Sequence, residues 1–112
     1  MDYISHQIAA LILDIEAQMR RIGLWENSPP STQAMQSLTP FCHDTLRFEQ
    51  WLQWVFLVKM KEVVEGRSEW PNSSDITPLA EYRFTQLAQP TSQLLALLEG
   101  FDALINRTGS RR

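Results

Sequence analysis

Side chains that commonly bind metals or act as nucleophiles are scarce in this chain. It has one cysteine, Cys42, and two histidines. One thiol cannot close an intrachain disulfide, and a lone thiol fits a reducing compartment. A metal site needs several ligands at suitable spacing. No Glu-x-x-His pair occurs, which argues against a carboxylate-bridged di-metal bundle. No metal or cofactor is expected. Long apolar runs are missing too. The longest run of bulky apolar residues, Trp54 to Val58, lies between Gln53 and Lys59, far short of the ~20 residues of a membrane span. The N-terminal stretch lacks the basic region of a signal peptide, so the expected location is the cytoplasm. A basic excess is also absent. Ten Lys and Arg against 13 Asp and Glu give a net charge of −3, with no global pull toward nucleic acid or anionic lipid.

What remains is ordinary globular material, 44% hydrophobic and 21% charged over 112 residues. That length predicts a single domain over residues 1–112, burying roughly two thirds of its unfolded surface. Ile4, Ile8, Leu11, Ile15, Met19 and Ile22 follow helical spacing and predict a first helix from Asp2 to Ile22. Gly23 supplies its C-terminal stop. Ala9, Ala10, Leu13 and Ala17 on the opposite side would allow a second close contact. The stretch Gly23 to His43, with Pro29-Pro30, is long for a connection. Trp25, Met35, Leu38 and Phe41 are expected to anchor it, with one helical turn within Ser31–Leu38. A second helix is predicted from Asp44-Thr45, its N-cap, to about Gly66. Thr77-Pro78 predicts a third, with Thr77 as N-cap and Leu79, Phe84 and Leu87 inward. A fourth opens at Gln89-Pro90 and carries Leu94, Leu97, Leu98, Phe101, Leu104 and Ile105. Close packing is expected at Gly100, and fraying from about Asn106 to Arg112. The fold class is all-α, a single-domain bundle of four main helices with a long loop between helices 1 and 2.

The segment WLQWVFLVKM, Trp51 to Met60, is the most distinctive. On a helical wheel its apolar residues surround the axis, interrupted only by Gln53. A helix apolar all round is buried on most sides, so this is expected to be the waist of a central rod. Gln53, if buried, needs partners. The expected ones are backbone groups of the Gly23–His43 segment. The other reading makes Gln53 the polar group of an apolar pocket with Trp51 and Trp54.

The segment TPFCHDTLRFEQWLQWVFLVKM, Thr39 to Met60, resembles the central signature of the YqcC-like family, small bacterial helical proteins of unknown function. The likeness extends to RRIGLWENS upstream and ITPLAEYRF at Ile76–Phe84. Pro40-Phe41, Asp44-Thr45, Trp51-Leu52-Gln53 and Met60 carry it. Family members often have a proline where this chain has Val58, so the helix is expected to be straighter there. The resemblance implies a compact helical bundle with no established activity. It also implies an association with tRNA pseudouridine synthase, beside whose gene family members often lie. Such synthases resemble larger mixed-sheet folds that a 112-residue helical chain cannot contain.

No catalytic constellation is expected. Cys42-His43-Asp44 are immediate neighbours, whereas nucleophile, base and orienter usually converge from separate segments. The basic groups Arg20-Arg21, Lys59-Lys61, Arg107 and Arg111-Arg112 are small and interleaved with acids, so direct nucleic-acid binding is not expected. The leading functional expectation is a non-enzymatic interaction protein with an unknown protein partner or a second copy of itself. Its candidate binding or interface residues are Trp51, Gln53, Trp54, Phe41 and Asp44. The alternatives are a small-molecule carrier or sensor with an apolar pocket, and an accessory to tRNA modification.

Overall fold

The structure is a computed structural model describing residues 3–109. Asp2, at the expected start of the first helix, and Arg111 and Arg112 lie outside the described residues. Every regular element among those described is helical, and four main helices form a bundle.

Helix α1 spans Tyr3–Arg21. Its predicted stripe faces the core through Ile8, Ile12, Ile15 and Met19. On the other side Leu13 is exposed, while Ala10 and Ala17 line shallow grooves beside helix residues 92–109. The helix stops at Gly23, whose φ is +82°. The Leu24 N–H bonds the Met19 carbonyl at 2.9 Å, and the Gly23 N–H that of Arg20 at 3.3 Å. This double closure needs a residue that tolerates positive φ. Gly66, with φ +81°, repeats it through bonds to Glu62 and Val63.

The long connection contains the expected single turn, α2 (Thr32–Met35), whose first-turn Ala34 N–H donates to Ser31 Oγ at 3.1 Å. Trp25 and Phe41 anchor it by packing against the core, as expected, but Leu38 does not. Trp25, Met35 and Phe41 are half-buried and Leu38 is fully exposed, while Leu24, Cys42 and Leu46 are buried. A short 3-10 turn, Pro40–Cys42, ends the connection.

The central rod is built from α3 (Phe48–Trp51), a π-helical turn (Leu52–Phe56) and α4 (Leu57–Val64). It starts later than predicted. Asp44 and Thr45 do not cap it, because the loop claims their side chains. Ser37 Oγ donates to Asp44 at 2.5 Å, and Thr45 Oγ1 donates to the Ala34 carbonyl at 2.7 Å. Instead the Arg47 N–H donates to Gln50 Oε1 at 2.9 Å. In the π turn the Leu57 N–H reaches back five residues to the Leu52 carbonyl. Beyond it the rod is regular α-helix through Val58, so the irregularity lies upstream of the position that the family often gives to proline.

Helix α5 (Thr77–Phe84) and helix α6 (Ser92–Gly109) complete the bundle. The Thr77 hydroxyl does not cap its own helix. Asp102 on α6 accepts from the Thr77 N–H at 2.9 Å, from Thr77 Oγ1 at 2.7 Å and from Ser74 Oγ at 2.5 Å. A buried carboxylate thus ties the start of α5 to α6, satisfying a first-turn donor that a local cap would otherwise serve. Pro90 precedes α6 by two residues, and Thr91 accepts its first bond, from the Leu95 N–H at 2.8 Å. The helix continues through Asn106, Arg107 and Thr108, where fraying was expected. Gly100 is exposed with nothing within 4 Å of a built Cβ, so the expected close packing is absent.

Helix α1 packs on α4 and α6, and α5 packs on α6. The shared core joins Ile8, Ile15, Leu52, Leu57, Leu98 and Phe101 among others. Trp25 and Trp70, both in connections, are half-buried and pack against it. The waist of the rod is buried less evenly than its wheel implies. Leu52, Gln53, Phe56 and Leu57 are buried, but Trp51, Trp54 and Val55 are half-buried and Val58 is 47% exposed. The three other main helices cannot surround a rod that is apolar on every side, so connections cover what they leave open.

Candidate functional site

The five sequence candidates separate onto different sides of the rod. On one side Gln53, only 3% exposed, pairs with the backbone of Glu26. Its Oε1 accepts from the Glu26 N–H at 2.9 Å and its Nε2 donates to the Glu26 carbonyl at 2.8 Å. One amide side chain therefore satisfies two backbone groups of the long connection. The Glu26 carboxylate turns back to the rod. It accepts from Trp54 Nε1 at 3.1 Å, from Gln50 Nε2 at 3.3 Å and from Arg47 Nη2 at 3.1 Å. Arg20 stacks 4.5 Å above the Trp25 ring alongside. These groups fasten the loop to the rod.

On another side Phe41 and Trp51 meet edge to face, ring centroids 4.7 Å apart. Trp51 continues to Phe56 at 5.6 Å, and Phe56 to the buried Phe101 at 4.9 Å. Above this aromatic line lies an open groove of about 290 Å³. Phe41, Trp51, Val55 and Met60 line it, and Pro71 and Ile76 face them from the connection before α5. Lys59 and Asp75 stand at its polar edge. The π turn brings Val55 to this groove and leaves Trp54 in a different one, beside Arg20 and Glu26. Trp51, Trp54 and Gln53 accordingly form no common pocket.

Phe41 also walls a second recess of about 160 Å³, with His43, Arg47, Tyr82 and Arg83 around it. Its structural support is Glu49, buried on α3. Arg83 donates to Glu49 through Nε and Nη2, both at 2.9 Å. Arg47 Nε lies 3.5 Å from the same carboxylate. Burial pushes the Glu49 carboxyl up, but the Arg83 hydrogen bonds and the charges of Arg83 and Arg47 outweigh it, leaving it below its ordinary 4.5. The Glu49 bonds in turn raise Arg83. Asp44 lies in the loop away from both recesses, exposed, with its carboxyl lowered by the Ser37 hydrogen bond.

Phe41 has φ +60° and Cys42 has φ +49°. Two consecutive side-chain-bearing residues in the left-handed region are rare. Each such conformation costs on the order of 1–3 kcal/mol and persists only where the surroundings impose it. Here the strained turn seats the Phe41 ring between the two recesses. Sequence reasoning named Phe41 and Trp51 but not Glu26, Glu49, Val55 or Arg83 as partners. Arg83 lies within ITPLAEYRF, one of the stretches that carry the family likeness, and that was its one available signal.

Among the described residues no three of His, Cys, Asp and Glu gather as metal ligands. No described helix is long and apolar enough to cross a membrane.

Comparison with known proteins finds a family match over residues 7–104, to DUF446, described as tRNA pseudouridine synthase C. An uncharacterised protein of Haemophilus influenzae is 38% identical over 88 residues, covering 76% of this chain and 83% of the relative. The uncharacterised protein YqcC of Escherichia coli K12 is 30% identical over 103 residues, 92% of this chain and 91% of the relative. A protein of Pectobacterium carotovorum named tRNA pseudouridine synthase C is 37% identical over 69 residues. That match covers 62% of this chain but 18% of the relative. No solved structure matches.

Proposed function

The chain belongs to the YqcC-like family, and from that premise we propose that it is a non-catalytic accessory to tRNA modification, acting by binding tRNA pseudouridine synthase C. The observation that carries this reading is the Pectobacterium relative. A region similar to this chain there forms a minor part of a longer polypeptide bearing the synthase name. Joining two functions in one chain raises their effective concentration, an advantage only when the parts meet.

The chemistry of the chain favours an accessory over a catalyst. Among the described residues both buried carboxylates are engaged, Glu49 with Arg83 and Asp102 with Ser74 and Thr77. Protein is the better-supported partner than tRNA itself. The net charge is −3, and Arg20, Arg47, Lys61, Arg67 and Arg83 are each paired with a glutamate. Phosphate binding draws on basic groups free to replace counterions.

The test mixes purified chain with purified tRNA pseudouridine synthase C and measures complex formation by light scattering and calorimetry. Binding at about 1 μM or tighter without tRNA is expected. The chain alone should form no pseudouridine in a tRNA substrate. Failure to bind, with no change in synthase rate on adding the chain, would remove the reading.

A further inference from the structure

Helices α1 and α6 run antiparallel, which brings their outer ends together. At one end of the bundle Arg21 Nη1 on α1 donates to Gln93 on α6 at 3.3 Å. Further along, Ala17 and Gln18 lie beside Ala96 and Leu97, and beyond them Gln7 and Ala10 lie beside Ala103 and Arg107. The start of α1 and the finish of α6 therefore share the other end. Polypeptide joined to this bundle before α1 or after α6 departs from the same place.

That placement bears on the Pectobacterium relative, where the region similar to this chain is a minor part of a longer polypeptide named as the synthase. On a bundle of this topology the remainder attaches at one end, whichever side of the similar region it occupies. The opposite end, where the long connection leaves α1, is remote. With 19 residues, α1 spans about 28 Å. A linker would need about eight fully extended residues to cover that distance. Effective concentration falls as a linker lengthens, so a tether favours contact near its attachment.

The near end carries a rigid surface. The connection between α4 and α5 crosses it, and the last two turns of α6 hold that connection. Asn106 Oδ1 accepts from the Ser74 N–H and Asn106 Nδ2 donates to the Ser74 carbonyl, both at 2.8 Å. Asp102 accepts from Ser74 Oγ and from Thr77. Held this way, the connection presents the exposed side chains of Asn72, Ser73 and Asp75 on a backbone already ordered, which lowers the entropy cost of binding. Tyr3 lies one turn before Gln7 and is 75% exposed, more than any other aromatic residue described. Tyrosine is among the residues that dominate the energetics of protein contacts. Tyr82, the next most exposed, belongs to the other end, in the recess with His43 and Arg47.

We propose that the end of the bundle bearing Tyr3, residues 72–75 and the finish of α6 is the surface that contacts tRNA pseudouridine synthase C. This rests on the functional reading above and adds where on the chain the synthase sits.

The experiment titrates purified synthase with the full chain and four variants, after circular dichroism and thermal melting establish that each is folded. Tyr3→Ala removes an exposed ring and Ser73→Arg adds bulk to the held connection. Each should weaken binding roughly tenfold, as for a residue central to a contact. Asn27→Arg and Tyr82→Ala, at the opposite end, should bind within about twofold of the unaltered chain. Amide hydrogen exchange in the complex should slow at residues 71–75 and stay unchanged at residues 27–37. Near-end variants that bind as the unaltered chain does, with exchange at 71–75 unaffected, would overturn the placement and leave the accessory reading intact. Weakening by the far-end variants alone would do the same. No binding by the unaltered chain would remove both.

Discussion

The two sides of the central rod use similar residue types in different ways. Around Glu26, a tryptophan, two glutamines and an arginine converge on one residue of the long connection, and each is hydrogen-bonded to it. Around Phe41, aromatic rings border open recesses and the backbone is strained. The first arrangement lowers the free energy of the fold. The second spends some of it to hold a surface in place. Indole count alone does not distinguish a lock from a binding surface. The distinction lies in whether the indole and its neighbours find partners within the chain.

The largest effect should come from the support beneath the strained side. Arg83→Met removes both hydrogen bonds to Glu49 and leaves a carboxylate of which only 8% of the side chain is exposed. Breaking such a pair from one side costs about 3 kcal/mol, measurable by urea unfolding at neutral pH. The pH dependence gives the sign. In the folded chain Glu49 titrates below its ordinary 4.5, so the unfolded state takes up the proton first as pH falls. Its contribution is therefore present above about pH 4.5 and lost as pH drops through the lower folded value. In Arg83→Met, burial is opposed only by a backbone hydrogen bond and the charge of Arg47. The loss should begin at higher pH than in the unaltered chain.

Gln53→Leu tests the lock. The apolar replacement is close in size, but the Glu26 N–H and carbonyl lose their partners. Two partly buried backbone groups left unpaired should cost about 2 kcal/mol. Proteolysis between Gly23 and Ser37 should accelerate along with it, because Gln53 holds the backbone near the start of the connection to the rod. Unchanged stability would mean that the Trp54 and Arg47 bonds to Glu26 suffice.

These tests separate what was legible in the sequence from what was not. The inward stripe of α1 and the stops at Gly23 and Gly66 were legible because each depends on residues within one helical turn. Gln53 was legible as an amide needing partners, since it alone interrupts the waist. The start of the second helix was misplaced because Asp44 and Thr45 bond Ser37 and Ala34, and local capping rules cannot anticipate that competition. Thr77 was misassigned for a similar reason, its hydroxyl turning to Asp102, 25 residues away. Leu38 was expected inside and is fully exposed. Phe41 was named as an anchor, but no residue pattern announces a phenylalanine at positive φ. The groove was hidden because the π turn determines which side of the rod Val55 and Trp54 occupy.

Glycines offer a smaller comparison with opposite signs. Gly23→Ala should lose about 1 kcal/mol, because its φ of +82° is unfavourable for alanine although no atom lies within 4 Å of the added Cβ. Gly100→Ala should gain up to about 1 kcal/mol, since it lies exposed within α6 with equally open surroundings. Thermal melting of the two variants would show the midpoint moving in opposite directions.

The smallest stability change should come from the residue most exposed to strain. Phe41→Gly loses an edge-to-face contact with Trp51, an aromatic pairing worth about 0.5–1.5 kcal/mol beyond its buried area. It also relieves a left-handed conformation at φ +60° that costs a phenylalanine about 1–2 kcal/mol. These terms nearly cancel, and the burial lost with the half-buried ring adds about 1 kcal/mol, so the net loss should stay near 1 kcal/mol. A loss of 3 kcal/mol or more would show that the Phe41 ring is a core plug. The two sides of the rod would then differ in geometry but not in purpose.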